Sequence, residues 1–340
     1  MAECAGGDSE RCAALVPAPH VSLFLTDARP DRCSDATCAA VTSSPHMDQR
    51  PTEKLLPDQL KELWAPDSDA RHKRSPEDSW QEQQRLIATY TVIWADALRL
   101  ETHPDLKESL LSEIGEYTGC DRLDEIERRC RGAVEAVKEE WHRKETEAGD
   151  RTSVEAFYDR TEAYVFDLMW WHALVDDPSP LAYVVAMKFA EQRGCSRYLD
   201  FGAGVGSAGI VFARHGFDVT LADISTNLLR FAMWRLARRG LPATFLDLKT
   251  DRLPPARYDI VTAMDVWEHL VDPVATVDQI AEAIAPGGFL FGRFAAQPDP
   301  NYPQHIVTDF EQTFKRLADR GFVEVWRDQW LWGHQVFQKT

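Results

Sequence analysis

The chain has 340 residues, 44% of them hydrophobic and 27% charged, a composition that fits one large globular domain or two modest ones. Its 38 Lys and Arg against 55 Asp and Glu leave a net charge of −17, which argues against a nucleic-acid groove, since phosphate binding needs a local excess of basic side chains. No apolar run reaches the roughly 18 residues of a membrane span, no signal-type leader opens the chain, and seven cysteines without CxxC spacing point away from a disulfide framework or a structural zinc site; a cytoplasmic protein is expected.

Residues 1–46 are rich in Ala, Ser, Pro and Cys, hold four of the seven cysteines, and show one apolar cluster at Val21–Leu25. They read as a disordered tail, or as sequence upstream of a true start at Met47. On either reading, a protein beginning at Met47 is expected to fold and bind ligand as the full chain does. Residues 47–150 read as a helical N-terminal domain. Leu86, Ile87, Tyr90, Ile93, Trp94, Ala97 and Leu98 recur at three- and four-residue steps, and Leu106, Leu110, Leu111 and Ile114 continue the stripe to a break at Gly119. A third helix carries Leu123, Ile126, Cys130, Val134, Val137 and Trp141 inward.

Residues 151–340 change character. An aromatic helix over 154–174 includes Phe157, Tyr158, Tyr164, Phe166, Trp170 and Trp171, and Asp177-Pro178-Ser179-Pro180 breaks it. Strands are then expected at Arg197–Phe201, Asp218–Asp223, Thr244–Leu248, Tyr258–Met264 and Phe289–Arg293, with helices between them. Asp272-Pro273 opens one helix as N-cap and N1, and Pro286-Gly287-Gly288 closes it. A terminal hairpin, Phe322–Trp326 with Gln335–Lys339, completes seven strands. This alternation predicts an α/β fold, a doubly wound and mostly parallel sheet with helices on both faces.

The most informative segment is Tyr198-Leu-Asp-Phe-Gly202-Ala-Gly204-Val-Gly206-Ser-Ala-Gly209, where a strand stops and a helix begins. Glycines there permit a tight turn and let a ligand lie on bare backbone near the positive end of a helix. Taken alone it also satisfies the dinucleotide fingerprint, Gly204-x-Gly206-x-x-Gly209, so a nicotinamide-dependent dehydrogenase stands as an alternative. The acids around it discriminate: Asp200 before the first glycine, Asp223 at the end of the next strand, Asp247 in Phe245-Leu-Asp-Leu248, Asp265 after the fourth strand, then Pro286-Gly287-Gly288.

With these features in order, roughly residues 155–340 resemble the class I S-adenosylmethionine-dependent methyltransferases, whose Rossmann-like sheet ends in one antiparallel strand. The resemblance implies S-adenosyl-L-methionine as cofactor. It assigns Gly202, Gly204 and Gly206 to the methionine end, with Asp200 shaping the turn. Asp223 takes the ribose diol with Ile224 beside it, Asp247 and Leu248 the adenine, and Asp265 completes the methionine pocket.

Two loops carry catalytic candidates. Asp265-Val-Trp-Glu268-His269 is similar to the Glu-x-x-Glu-His motif of ubiquinone-pathway and small-RNA O-methyltransferases, where those side chains hold a divalent metal. Here Asp replaces the first Glu, and no metal ligand is assigned. The second loop, Phe294 to His305, is stiffened by prolines and leaves the fifth strand beside the donor methyl. His305 is therefore favoured over His269 as the base for an acceptor hydroxyl. His172 and His334 read as packed side chains, and Trp170, Trp171, Trp326, Trp330 and Trp332 as core with a share in the acceptor pocket. The expected acceptor is a small molecule or glycan, with no nucleic-acid or membrane partner. A binding fold without turnover, its helical domain docking a partner, is the other alternative.

Overall fold

The computed structural model describes residues 76–143, 146–295, 300–328 and 333–340. The expectations for residues 1–46 and Met47, and for Trp330 and Trp332, fall outside them.

Seven α-helices precede the sheet among the described residues: α1 (Pro76–Leu98), α2 (Leu106–Thr118), α3 (Leu123–Arg131), α4 (Ala133–Arg143), α5 (Arg151–Arg160), α6 (Ala163–His172) and α7 (Ala182–Gln192). Local chemistry sets their ends. The Asp105 carboxylate accepts from the Glu108 amide at 2.9 Å to start α2, and Gly119 ends it at φ 70°. Two expected helices are each divided. Gly132 separates α3 from α4, and the aromatic helix breaks at Thr161, whose backbone is extended and whose hydroxyl donates to the Phe157 carbonyl at 2.7 Å. The Thr161 amide donates to the same carbonyl at 3.0 Å, so this residue closes α5 with two bonds to one acceptor.

The sheet follows as β1 (Arg197–Phe201), α8 (Ser207–Arg214), β2 (Asp218–Asp223), α9 (Thr226–Arg238), β3 (Thr244–Asp247), β4 (Tyr258–Ala263), α10 (Pro273–Ala283), β5 (Ile284–Gly292), α11 (Glu311–Asp319), β6 (Phe322–Arg327) and β7 (Gln335–Lys339). Its strand order is β3-β2-β1-β4-β5-β7-β6, with β7 antiparallel to both neighbours. As expected, Asp272 caps α10, its carboxylate accepting from Ala275 N at 2.8 Å, with Pro at N1. Strand ends elsewhere shift by at most a single residue, and the largest boundary difference is at β5. Pro286-Gly287-Gly288 does not precede β5 but lies inside it as a bulge, Ile284 pairing with Tyr258 before the register shifts to Phe289 with Ile260. The ladder bends there because Gly287 takes φ 78° and a Cβ on Gly288 would meet the Asp259 carbonyl at 2.9 Å.

Side chains alternate between two cores across the sheet. Tyr198, Ile260, Phe289 and Phe291 face a cluster that also contains Trp94, Trp141, Phe157 and Phe166 from the preceding helices. Leu199, Val261 and Leu290 face the other, with Trp267, Val277 and Phe337. The helices before and after residue 151 thus share one core. Glu113 on α2 is fully buried and pairs with Arg235 on α9 at 3.2 Å and with Arg239, and Trp94 Nε1 donates to the His172 carbonyl at 2.9 Å.

Candidate active site

β1 lies between β2 and β4, so the chain leaves it on one side and returns on the other; the crevice at the carboxyl ends of the strands opens there. The turn after β1 demands glycine. Gly202 and Gly204 have φ 77° and 51°, and side chains there would collide with Val266 and Leu168. At the end of β2 the buried Asp223 carboxylate accepts from Gly204 N and Ser225 N, both at 2.8 Å. Burial raises its pKa, and these amide bonds with Lys249 work against the rise.

A cavity of about 560 Å³ opens over this turn, and Gly202, Gly204, Asp223, Ile224, Leu248, Asp265, His269 and His305 all line it. Three residues assigned from the sequence do not. Gly206 caps α8 beneath the turn. Asp200 is buried and accepts from the Thr262 hydroxyl at 3.1 Å, its carboxyl pushed up to about 7 by desolvation. Asp247 is engaged by Lys249 Nζ at 2.9 Å and by the Thr226 hydroxyl at 3.0 Å.

After β4 the backbone of Asp265 takes φ 53° and its carboxylate pairs with Arg293 at 2.9 Å. A short 3-10 turn, Trp267–His269, then sets Glu268 into the interior. Glu268 is 2% exposed, and its Oε2 has no hydrogen-bond partner among the described residues. Burial first, and the nearby Asp265 second, raise its carboxyl well above the usual range. The loop that carries His305 is stitched to the same residue: Ile306 N and Val307 N both donate to the Glu268 carbonyl, at 2.8 and 3.2 Å. Glu268, His269 and His305 consequently each offer a ligand atom within 4.8 Å of the others. His269 Nδ1 lies 3.2 Å from the Gln304 carbonyl and 2.9 Å from the Tyr158 hydroxyl. The carbonyl can only accept, so the proton belongs on Nδ1 and the lone pair on Nε2. Burial lowers the His269 pKa to about 3, keeping the ring neutral. Such a set of one carboxylate and two imidazoles with an orphaned buried oxygen fits a divalent cation.

His334 is buried against Phe291 away from the cavity, and Trp326 packs on the same ring, whereas His172 lies on the cavity wall. The sequence reading missed Asp167, Tyr183 and Arg293, which also line the cavity. No short-range pattern marks them, because helix packing and strand register bring them there.

A family model described as a methyltransferase domain matches residues 170–337. The ubiquinone biosynthesis O-methyltransferase of Photorhabdus laumondii is 36% identical over 99 residues, covering 28% of this chain and 41% of that protein. Its counterpart in Proteus mirabilis is 30% identical over 152 residues, covering 41% and 62%. The chain thus spans less than two thirds of the length of these relatives. A solved SAM-dependent methyltransferase of Leishmania major aligns with 59% of this chain and 90% of its own at 18% identity and a TM-score of 0.44. By the matched domain, the ubiquinone O-methyltransferase relatives and the ordered motifs from Asp200 to Gly288, residues 170–337 form a methyltransferase domain of the class I S-adenosylmethionine-dependent type.

Proposed function

We propose that the protein transfers the methyl group of S-adenosylmethionine to a hydroxyl of a small-molecule acceptor. The carrying observation is that one cavity joins a donor-type set, Gly202, Gly204, Asp223, Ile224 and Leu248, to the Glu268–His269–His305 cluster. Two backbone amides aim the Asp223 carboxylate, and its remaining lone pairs suit the two hydroxyls of a ribose. Ile224 and Leu248 flank the adenine, while Asp247 is occupied by Lys249 and Thr226. The ubiquinone O-methyltransferase relatives support oxygen as the attacked atom.

In the reaction an acceptor oxygen bonds to the methyl carbon as the sulfur–carbon bond breaks in line, the sulfonium becomes a thioether, and the hydroxyl proton is released to bulk solvent. Glu268, His269 and His305 would hold a divalent cation, whose chemistry is to acidify a bound hydroxyl. Tyr158 and the Gln304 carbonyl orient His269, and the Glu268 carbonyl anchors the His305 loop. Trp170, Trp171 and Tyr164 line the cavity with aromatic surface.

Calorimetry with S-adenosylhomocysteine tests the donor. Saturable binding is expected, and Asp223→Ala should weaken it by about 2 kcal/mol or more, as when hydrogen bonds to a charged acceptor are lost. Binding of NADH with no response to either sulfur ligand would refute the methyltransferase reading.

A further inference from the structure

One wall of the cavity is α6. Tyr164, Asp167, Leu168 and Trp171 recur at three- and four-residue steps along it and share the lining face. Leu168 presses on the glycine turn, since a Cβ on Gly204 would meet its Cδ1 at 2.9 Å. This face therefore lies opposite the turn. Beside Leu168, Asp167 makes no hydrogen bond or ion pair among the described residues. Burial pushes its carboxyl up to about 6, and no positive group offsets the rise. Of the α3 arginines, Arg128 pairs with Glu125 at 3.0 Å, Arg129 lies over the Phe166 ring at 3.9 Å and Arg131 over Trp170 at 4.7 Å.

A second orphan adjoins it. His172 is 5% exposed, lines the same cavity, and has no hydrogen-bond partner for either ring nitrogen among the described residues. Its ring stacks on Trp171 at 5.1 Å. Buried polar groups without partners are costly, and a ligand that supplies the partner explains their presence. The indoles are held by their edges: Trp170 Nε1 donates to Asp176 at 2.7 Å and Trp171 Nε1 to Asp177 at 3.0 Å. Charge points the same way. Asp167, Asp176, Asp177, Asp223, Asp265 and Glu268 line the cavity against Arg293. Arg293, a donor with one net positive charge and a divalent cation together leave the cavity as a whole short of neutral. Aromatic faces beside an unpaired carboxylate attract an organic cation.

We propose that Asp167, Trp171 and His172 form the acceptor-recognition end of the cavity and that the acceptor carries a protonated amine, its ammonium on Asp167 and its apolar flank on Trp171. This rests on the methyl-transfer reading above. His172 supplies a neutral donor or acceptor to a second polar group of the same molecule.

Two probes that share a ring and differ in charge, benzylamine and benzyl alcohol, test it by calorimetry on the protein saturated with S-adenosylhomocysteine. Benzylamine is expected to bind at least about tenfold more tightly. Asp167→Asn keeps the shape and removes the charge. It should erase that preference, leave S-adenosylhomocysteine affinity unchanged, and raise Tm slightly, because a half-buried carboxylate without a counter-charge is gone. Equal binding of the two probes to the unaltered protein overturns the proposal, and so does a preference that survives Asp167→Asn. Loss of S-adenosylhomocysteine affinity in the variant, with the probe preference intact, assigns the carboxylate to the donor's own ammonium and also overturns it. Failure of S-adenosylhomocysteine to bind at all strikes the methyl-transfer reading instead, and the two probes on the ligand-free protein still decide this site.

Discussion

His305→Ala removes one ligand of the cluster and is expected to lower turnover by at least the roughly 10²–10⁴-fold typical of losing a positioned acid–base group, with donor affinity nearly unchanged. The cluster reading adds that chelation abolishes activity and that Glu268→Ala is as damaging as His269→Ala. It also carries a pH signature. Burial and Asp265 favour the protonated Glu268 carboxyl in the ion-free cluster, so an arriving divalent cation must displace a proton. Cation affinity should therefore rise with pH until that carboxyl is ionised. Calorimetry in two buffers of different ionisation enthalpy, using magnesium or manganese, reads the proton release directly. Chelator-insensitive turnover that still depends on His305 would leave this histidine as the direct proton acceptor favoured by the sequence. Chelator-insensitive turnover with full activity in His305→Ala would refute both roles.

The second large effect is on stability. Glu113→Ala leaves Arg235 and Arg239 buried without their counter-charge and should destabilise the protein by about 3–5 kcal/mol, measured by urea denaturation. Although burial works to raise the Glu113 pKa, Arg235 and Arg239 more than offset it and hold the carboxyl below its ordinary value. A depressed carboxylate contributes fully above its unfolded pKa and loses that contribution as pH falls through the folded one. The deficit of the variant should therefore be complete at neutral pH and shrink in acid. Donor affinity should fall too, because Arg235 also donates to the Val205 carbonyl and the Ser207 hydroxyl, both at 2.8 Å, and so braces the glycine turn. Unchanged stability in Glu113→Ala would instead support helices that act as a separate docking module.

By itself the sequence determined what short-range chemistry controls. Alternating apolar runs and turn residues marked the seven strands, and a glycine cluster at a strand-to-helix joint can serve few purposes other than a close backbone approach to a ligand. The Asp272-Pro273 cap and the ordered acids were legible for the same reason, since each acts within a few residues of itself. Tertiary structure alone decided which acids face the cavity. Asp223 does because Gly204 and Ser225 amides aim it there, whereas Thr262 takes Asp200 and Lys249 takes Asp247. It also joined His305 to Glu268 and His269 through two backbone bonds from a distant loop, and brought Asp167 across from the turn on a helix whose break at Thr161 no proline or glycine announced. Those contacts depend on packing between segments far apart in the chain, where side-chain direction follows from the partner rather than from the neighbouring residues.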